Sequence, residues 1–204
     1  MIVVVDYGMG NLGTVATKIK KMDPSVVITS NPEEISLADK IILPGVGSFK
    51  AGMENLRKRD LIPVLEKKVV RDHTPILGIC LGMQLFTKKS EEGFVDGLGW
   101  IDAETIRFRF PDTLHGLKIP HMGWNTITLN NHHPLLRGLG DQPRFYFVHS
   151  YHARCENPEN IAAETEYGYP FPSVITRENI TGVQFHPERS HKFGMKILKN
   201  FIEG

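Results

Sequence analysis

The sequence predicts an α/β fold, an open and mostly parallel β-sheet with helices on both faces and antiparallel strands at its edge. Two observations carry that expectation. Short, uniformly apolar and β-branched runs alternate with stretches of helical periodicity, the pattern of strands buried on both faces. One later segment, residues 100–128, mixes polar and apolar residues at near-alternating spacing with Gly and Pro between, as antiparallel edge strands do.

Ile2–Val5 is the first such run; the turn-like DYGMGN leads from it into a helical pattern over residues 12–22. Strands follow at 26–29 and at Lys40–Gly45, then a helical stretch over 51–71 and a strand at 75–79. RFYFVHSY, PSVIT and ITGVQF read as closing strands, and residues 192–202 as a final helix. A length of 204 residues, 41% of them apolar, suits one domain over 1–204.

Lys and Arg number 24 against 23 Asp and Glu, so charge points to neither nucleic acid nor an anionic membrane. Cys80 and Cys155 lie far apart without metal-ligand spacing, which argues against a disulfide framework, a zinc site, and an oxidising compartment. With no basic leader before the first strand and no apolar run near about 18 residues, the expectation is a soluble cytoplasmic protein.

In TPILGICLGMQLF an apolar strand meets Cys80 between Gly78 and Gly82, and a helical pattern starts at once. This is a nucleophile elbow with Cys in place of Ser. The flanking glycines are expected to permit the tight turn and leave room for a substrate carbonyl, and the helix start favours a thiolate. A free cysteine is also among the most buried residue types, so G-x-C-x-G alone is a moderate signal. It gains weight from His186 and Glu188 after GVQF: a thiol needs a base, and the base needs an acceptor that fixes its tautomer. Two residues apart on an extended segment, their side chains are expected on the same side.

PGVG at 44–47, GICLGMQLF around Cys80 and GVQFHPE around His186 together resemble the class I glutamine amidotransferase family over the whole chain. IPHMGWN at 119–125, FYFVHSY at 145–151 and FHPERS ending at Ser190 resemble, within it, the glutaminases that serve imidazole glycerol phosphate synthesis. The resemblance implies a flavodoxin-like domain with Cys80 as nucleophile, His186 as acid and base, and Glu188 orienting it. It further implies oxyanion donors from Leu81 and from Val46 or Gly47, and glutamine contacts from Gln84, Glu92, His149, Ser150 and Tyr151. No cofactor or metal is implied; the paired His132 and His133 read as a surface loop. Ammonia must be used where it is made, so the implied partner is a (β/α)8-barrel cyclase. Asn11, His121, Met122, Trp124, Tyr146 and Arg189 are the expected interface residues. Two other readings stay open: a paralogue feeding a sugar amidotransferase in surface polysaccharide synthesis, and a stand-alone cysteine hydrolase or peptidase on the same fold.

Overall fold

The β-branched runs lie side by side at the centre of an eight-stranded sheet in the computed structural model, which describes residues 1–111 and 116–204. The strands are β1 (Ile2–Val5), β2 (Val27–Thr29), β3 (Lys40–Gly45), β4 (Ile76–Cys80), β5 (Lys89–Ser90), β6 (Val95–Asp96) and β7 (Ala103–Arg107). They continue as β8 (His121–Thr126), β9 (Thr128–Leu129), β10 (Arg144–His149), β11 (Tyr151–Cys155), β12 (Ile161–Glu166), β13 (Pro170–Arg177) and β14 (Ile180–Val183). The α-helices are α1 (Leu12–Lys20), α2 (Pro32–Ser36), α3 (Phe49–Lys58), α4 (Ile62–Glu66), α5 (Leu81–Gln84) and α6 (His191–Glu203).

The main sheet runs β2-β1-β3-β4-β14-β13-β12-β9, parallel through β14 and antiparallel beyond it. Alternation sorts the central strands between two apolar clusters. Ile2, Val4, Ile42, Leu77 and Ile79 join Val15, Ile19, Ile197, Leu198 and Phe201 of α1 and α6. Val3, Val5, Ile41, Leu43 and Ile76 join Phe49, Met53, Leu56 and Leu65 of α3 and α4 on the opposite face. Helices on both faces explain why β1 and β4 carry no polar residue: each side chain enters one cluster or the other.

Three expectations change. The helical stretch over 51–71 is not continuous: α3 ends at Lys58, Asp60 turns at φ 53°, α4 restarts with Pro63 in its first turn, and a π-helical turn follows over Lys67–Arg71. Proline cannot donate back into a preceding turn, so Pro63 belongs at a helix start. Residues 100–128 do supply antiparallel pairings, but only β9 lies at the main sheet's edge. β7 belongs to a separate sheet ordered β11-β7-β5-β6, and β8 pairs with β10 as a two-stranded ribbon. The helical pattern after Cys80 forms a single turn, α5, whose successor residues turn into β5.

That short helix is held by close backbone contact. A Cβ added to Gly82 would fall 1.7 Å from the Leu43 carbonyl oxygen of β3, and one on Gly78 of β4 would meet Met83 N at 2.7 Å. One on Gly182 of β14 would meet Met83 Cγ at 2.5 Å. Real Cβ atoms do not approach so closely, so the backbone would have to move. Gly82→Ala is therefore expected to lower the free energy of unfolding in urea by about 2 kcal/mol or more. Gly13→Ala, in α1 with open space around its Cβ position, is expected to leave stability unchanged or raise it by up to about 1 kcal/mol.

Candidate active site

β4 delivers Cys80 to the end of the sheet and α5 begins at the next residue. Between strand and helix Cys80 adopts φ 54°, ψ −108°, left-handed backbone that a side chain disfavours. Such a conformation costs about 1–3 kcal/mol and persists only where surrounding contacts enforce it; the contacts of Gly78, Gly82 and Gly182 with neighbouring elements do so. As expected, the flanking glycines permit the tight turn from strand to helix, and the packing of the two elements demands them: an added Cβ on either would strike neighbouring atoms.

Cys80 opens onto a cleft of about 320 Å³ lined by Val46, Gly47, Leu81, Gln84, Glu92, Pro120, Val148, His149, Ser150 and Tyr151. This size suits a small molecule. Every residue expected to supply oxyanion donors or to contact glutamine borders this one space. Val46 and Gly47 are exposed on the loop after β3, with Gly47 at φ 119°. Glu92, on the loop between β5 and β6, accepts from the Phe49 N–H at 2.7 Å through one carboxylate oxygen.

His186 follows β14, and its N–H donates to the Tyr146 carbonyl of β10 at 2.9 Å. His186 is extended, whereas Pro187–Arg189 forms a 3-10 turn. The expected extended segment is thus bent, and the bend serves the same end: His186 Nδ1 and Glu188 Oε1 lie 2.9 Å apart with both residues buried. Ser190 fixes the turn, donating from Oγ to the His186 carbonyl at 2.6 Å and accepting from the Tyr146 N–H at 3.0 Å. With Nδ1 engaged by Glu188, the nitrogen left for proton exchange is Nε2, buried and without a hydrogen-bond partner. Burial of the ring acts to lower its pKa; the negative charges of Cys80 and Glu188 outweigh it, and the His186 pKa is raised above its ordinary 6.5. A thiol, an imidazole and a carboxylate in this order can hold and move one proton between sulfur and an adjacent bound group.

Of two bonded buried histidines, His149 lines one wall and His121 stands behind it. His149 Nδ1–H donates to the Tyr151 carbonyl at 2.8 Å, which leaves its Nε2 to accept from His121 Nδ1–H at 3.0 Å. Asn125 Nδ2 stands 3.3 Å from His121 Nε2, so the chain of bonds is satisfied with both rings neutral. Burial lowers the pKa of each, that of His121 to about 4.

The expected interface residues divide. Met122 and Trp124 are exposed on β8, Asn11 is exposed just before α1 and Arg189 in the 3-10 turn after His186, and Tyr146 is half-buried across from Trp124 in the ribbon. The Arg189 guanidinium lies over the Tyr146 ring, 4.2 Å from its centre. His121 departs from the expectation: it turns inward from β8, where it is 3% exposed and bonded to His149, so its side chain presents nothing to a partner. Val148, Pro120, Gln184 and Tyr7 border the site without having been singled out. The Tyr7 hydroxyl is buried without a partner against Gly45, and burial, then the charge of Cys80, raises its pKa. Neither Tyr7 nor Gln184 carries a signal of its own in the sequence; only proximity in the fold identifies them.

The profile of class-I glutamine amidotransferases matches residues 3–204. A Methanococcus maripaludis protein named imidazole glycerol phosphate synthase subunit HisH 2 is 52% identical over 203 residues, covering 100% of this chain and 99% of that one. The chain belongs to the class-I glutamine amidotransferase family. A Pseudomonas aeruginosa member, also named imidazole glycerol phosphate synthase subunit HisH 2, is 46% identical over 203 residues, with 100% and 99% covered. Among solved structures of the same fold, a Thermotoga maritima protein described as a glutamine amidotransferase superposes with a TM-score of 0.64 at 16% identity, over 99% of this chain and 83% of that one. The family fold is therefore shared well beyond the range of recognisable sequence.

Glu188→Gln removes the charge behind His186 while keeping its size. The His186 ring, followed by NMR through a pH titration, is expected to lose its proton at lower pH than in the wild-type chain, by about one unit or more. An unchanged titration would show that the carboxylate does not hold the imidazolium.

Proposed function

We propose that this chain is the glutaminase subunit of imidazole glycerol phosphate synthase, with Cys80, His186 and Glu188 as its catalytic triad. What carries the reading is an elbow cysteine that opens onto a small cleft and couples electrostatically to a buried, carboxylate-held histidine, in a chain matched end to end by proteins of that name.

Cys80 attacks the side-chain amide carbonyl of glutamine as the thiolate, and the tetrahedral intermediate collapses to a thioester as His186 Nε2–H protonates the departing ammonia. His186 then takes a proton from water, which attacks the thioester and releases glutamate and the Cys80 sulfur. Glu188 keeps Nδ1 protonated and offsets the imidazolium charge at each stage. The developing oxyanion takes the Leu81 N–H, one of the helix-start donors without an intrahelical acceptor, and a second N–H from Val46 or Gly47; each is worth about 3 kcal/mol. Glu92 receives the substrate ammonium through its free oxygen, Gln84 contributes its carbonyl oxygen, and residues 149–151 receive the carboxylate end.

Ammonia would be protonated and lost in water, so the site requires an acceptor enzyme at its mouth. The reading assigns that place to a (β/α)8-barrel cyclase docked on Asn11, Met122, Trp124, Tyr146 and Arg189, which takes ammonia into imidazole glycerol phosphate and aminoimidazole carboxamide ribonucleotide in histidine biosynthesis. A cytoplasmic location belongs to the same reading, supported by two unpaired cysteines among the described residues and by no described helix long and apolar enough to cross a membrane.

One observation favours a second acceptor. Methanococcus maripaludis has two proteins of this name, and the chain is 52% identical to the one numbered 2 and 42% to the one numbered 1. A duplicated glutaminase can serve a sugar amidotransferase in surface polysaccharide synthesis with the same triad.

Glutamate release is expected to be low for the chain alone, to rise by about tenfold or more with the cyclase and its nucleotide substrate, and to fall by about 10⁴-fold or more in Cys80→Ala. Restored growth of a histidine auxotroph lacking the glutaminase identifies the histidine branch; activation by a cyclase-like barrel without restored growth identifies the second. Undiminished glutamate release by Cys80→Ala would overturn the triad.

A further inference from the structure

We propose that Gln184 is a catalytic hydrogen-bond donor to the Cys80 sulfur, aimed by Gln84 acting as its positioning residue. The proposal rests on Cys80 being the nucleophile and assigns a source of stabilisation for the charge it then carries.

Gln184 lies between β14 and His186 with no solvent exposure, and its Nε2 is 3.7 Å from Cys80 Sγ. The amide orientation follows from the network. The Tyr151 carbonyl can only accept, so the Gln84 atom 2.9 Å from it is Nε2. That nitrogen also stands 3.1 Å from the Gln184 amide, whose facing atom must then be Oε1. Both hydrogens of Gln84 Nε2 are thereby used, and Gln184 is left with its NH₂ toward the sulfur. His149 holds the same Tyr151 carbonyl at 2.8 Å, which anchors the network at its far end.

An N–H donor gains little from a neutral thiol and more from a thiolate, and burial strengthens the difference. Gln184 therefore favours Cys80 in its attacking state, and again as the thiolate released when the thioester is hydrolysed. Besides His186, the Val148 carbonyl stands 4.0 Å from Cys80 Sγ, an acceptor for the thiol that favours the resting form. Val148 and Gln184 thus offer the sulfur an acceptor suited to S–H and a donor suited to S⁻.

The test is the pH profile of Cys80 alkylation by iodoacetamide in the full chain, with folding checked by circular dichroism and thermal melting. The titratable groups around the sulfur, His186 with Glu188, Tyr7 and His149, stay in place in every variant. Gln184→Met, of similar volume, is expected to move the midpoint up by about one pH unit, equivalent to about tenfold slower alkylation below it; Gln184→Glu, which sets a carboxylate against the sulfur, moves it further. Gln84→Met keeps Gln184 but releases its aim and moves the midpoint in the same direction, so the proposal stays testable should the Gln184 variants not fold. In glutamine hydrolysis by Gln184→Met the loss appears in kcat with KM little changed. Folded variants that titrate like wild type would overturn the role of Gln184 and leave the nucleophile intact. Failure of wild-type Cys80 to alkylate ahead of Cys155, with glutamate release surviving Cys80→Ala, would overturn both.

Discussion

The contact on which the site depends is between one turn of helix and the bare backbone of three strands. α5 lies so close to β3, β4 and β14 that Gly82 touches the Leu43 carbonyl, and glycines stand where the other strands face it. Only from that depth can the chain turn from strand to helix in one residue, and the residue at the turn is forced into left-handed backbone. Cys80 is therefore not merely near the end of a strand. It is turned at the end of the sheet by packing beneath it, and the strain it carries is stored by contacts that involve no substrate.

From this point the remaining groups are placed by separate devices. β14, neighbour of β4 in the sheet, brings Gln184 and His186 to the same end as Cys80, as parallel strands must. The 3-10 turn and Ser190 then fix Glu188 against His186. β10 supplies Val148 and His149 from outside the main sheet, so the cleft is closed by an element with its own pairing and its own register.

Much of this was legible in the sequence because it is local. An elbow needs a cysteine bracketed by glycines between an apolar strand and a helix start, and an imidazole–carboxylate pair two residues apart needs no tertiary assembly. The alternation of strands and helices was equally readable, since burial on both faces leaves runs without polar residues. The long-range hydrogen bonds were not: Gln84 and Gln184 are 100 residues apart, and neither stands in a pattern that announces an amide pair. The direction of His121 was also hidden, because HMGWN mixes a Gly and polar residues in a way that does not reveal which side chains face inward; the pairing of β8 with β10 decides it. The break at Asp60 was missed for another reason: the apolar residues keep helical spacing within each side, and only the five-residue step from Leu56 to Leu61 marks the interruption.

The two sides of β8 have separate histories open to them. Met122 and Trp124 look outward, while His121 and Asn125 join the cleft wall through His149. Mutations in the outward set can reshape that surface without altering a side-chain hydrogen bond in the wall behind it. Under the proposed function, a duplicated copy of the gene is free to change the enzyme it feeds while keeping its chemistry, and the trace of such a change would be confined to a few exposed positions along one strand.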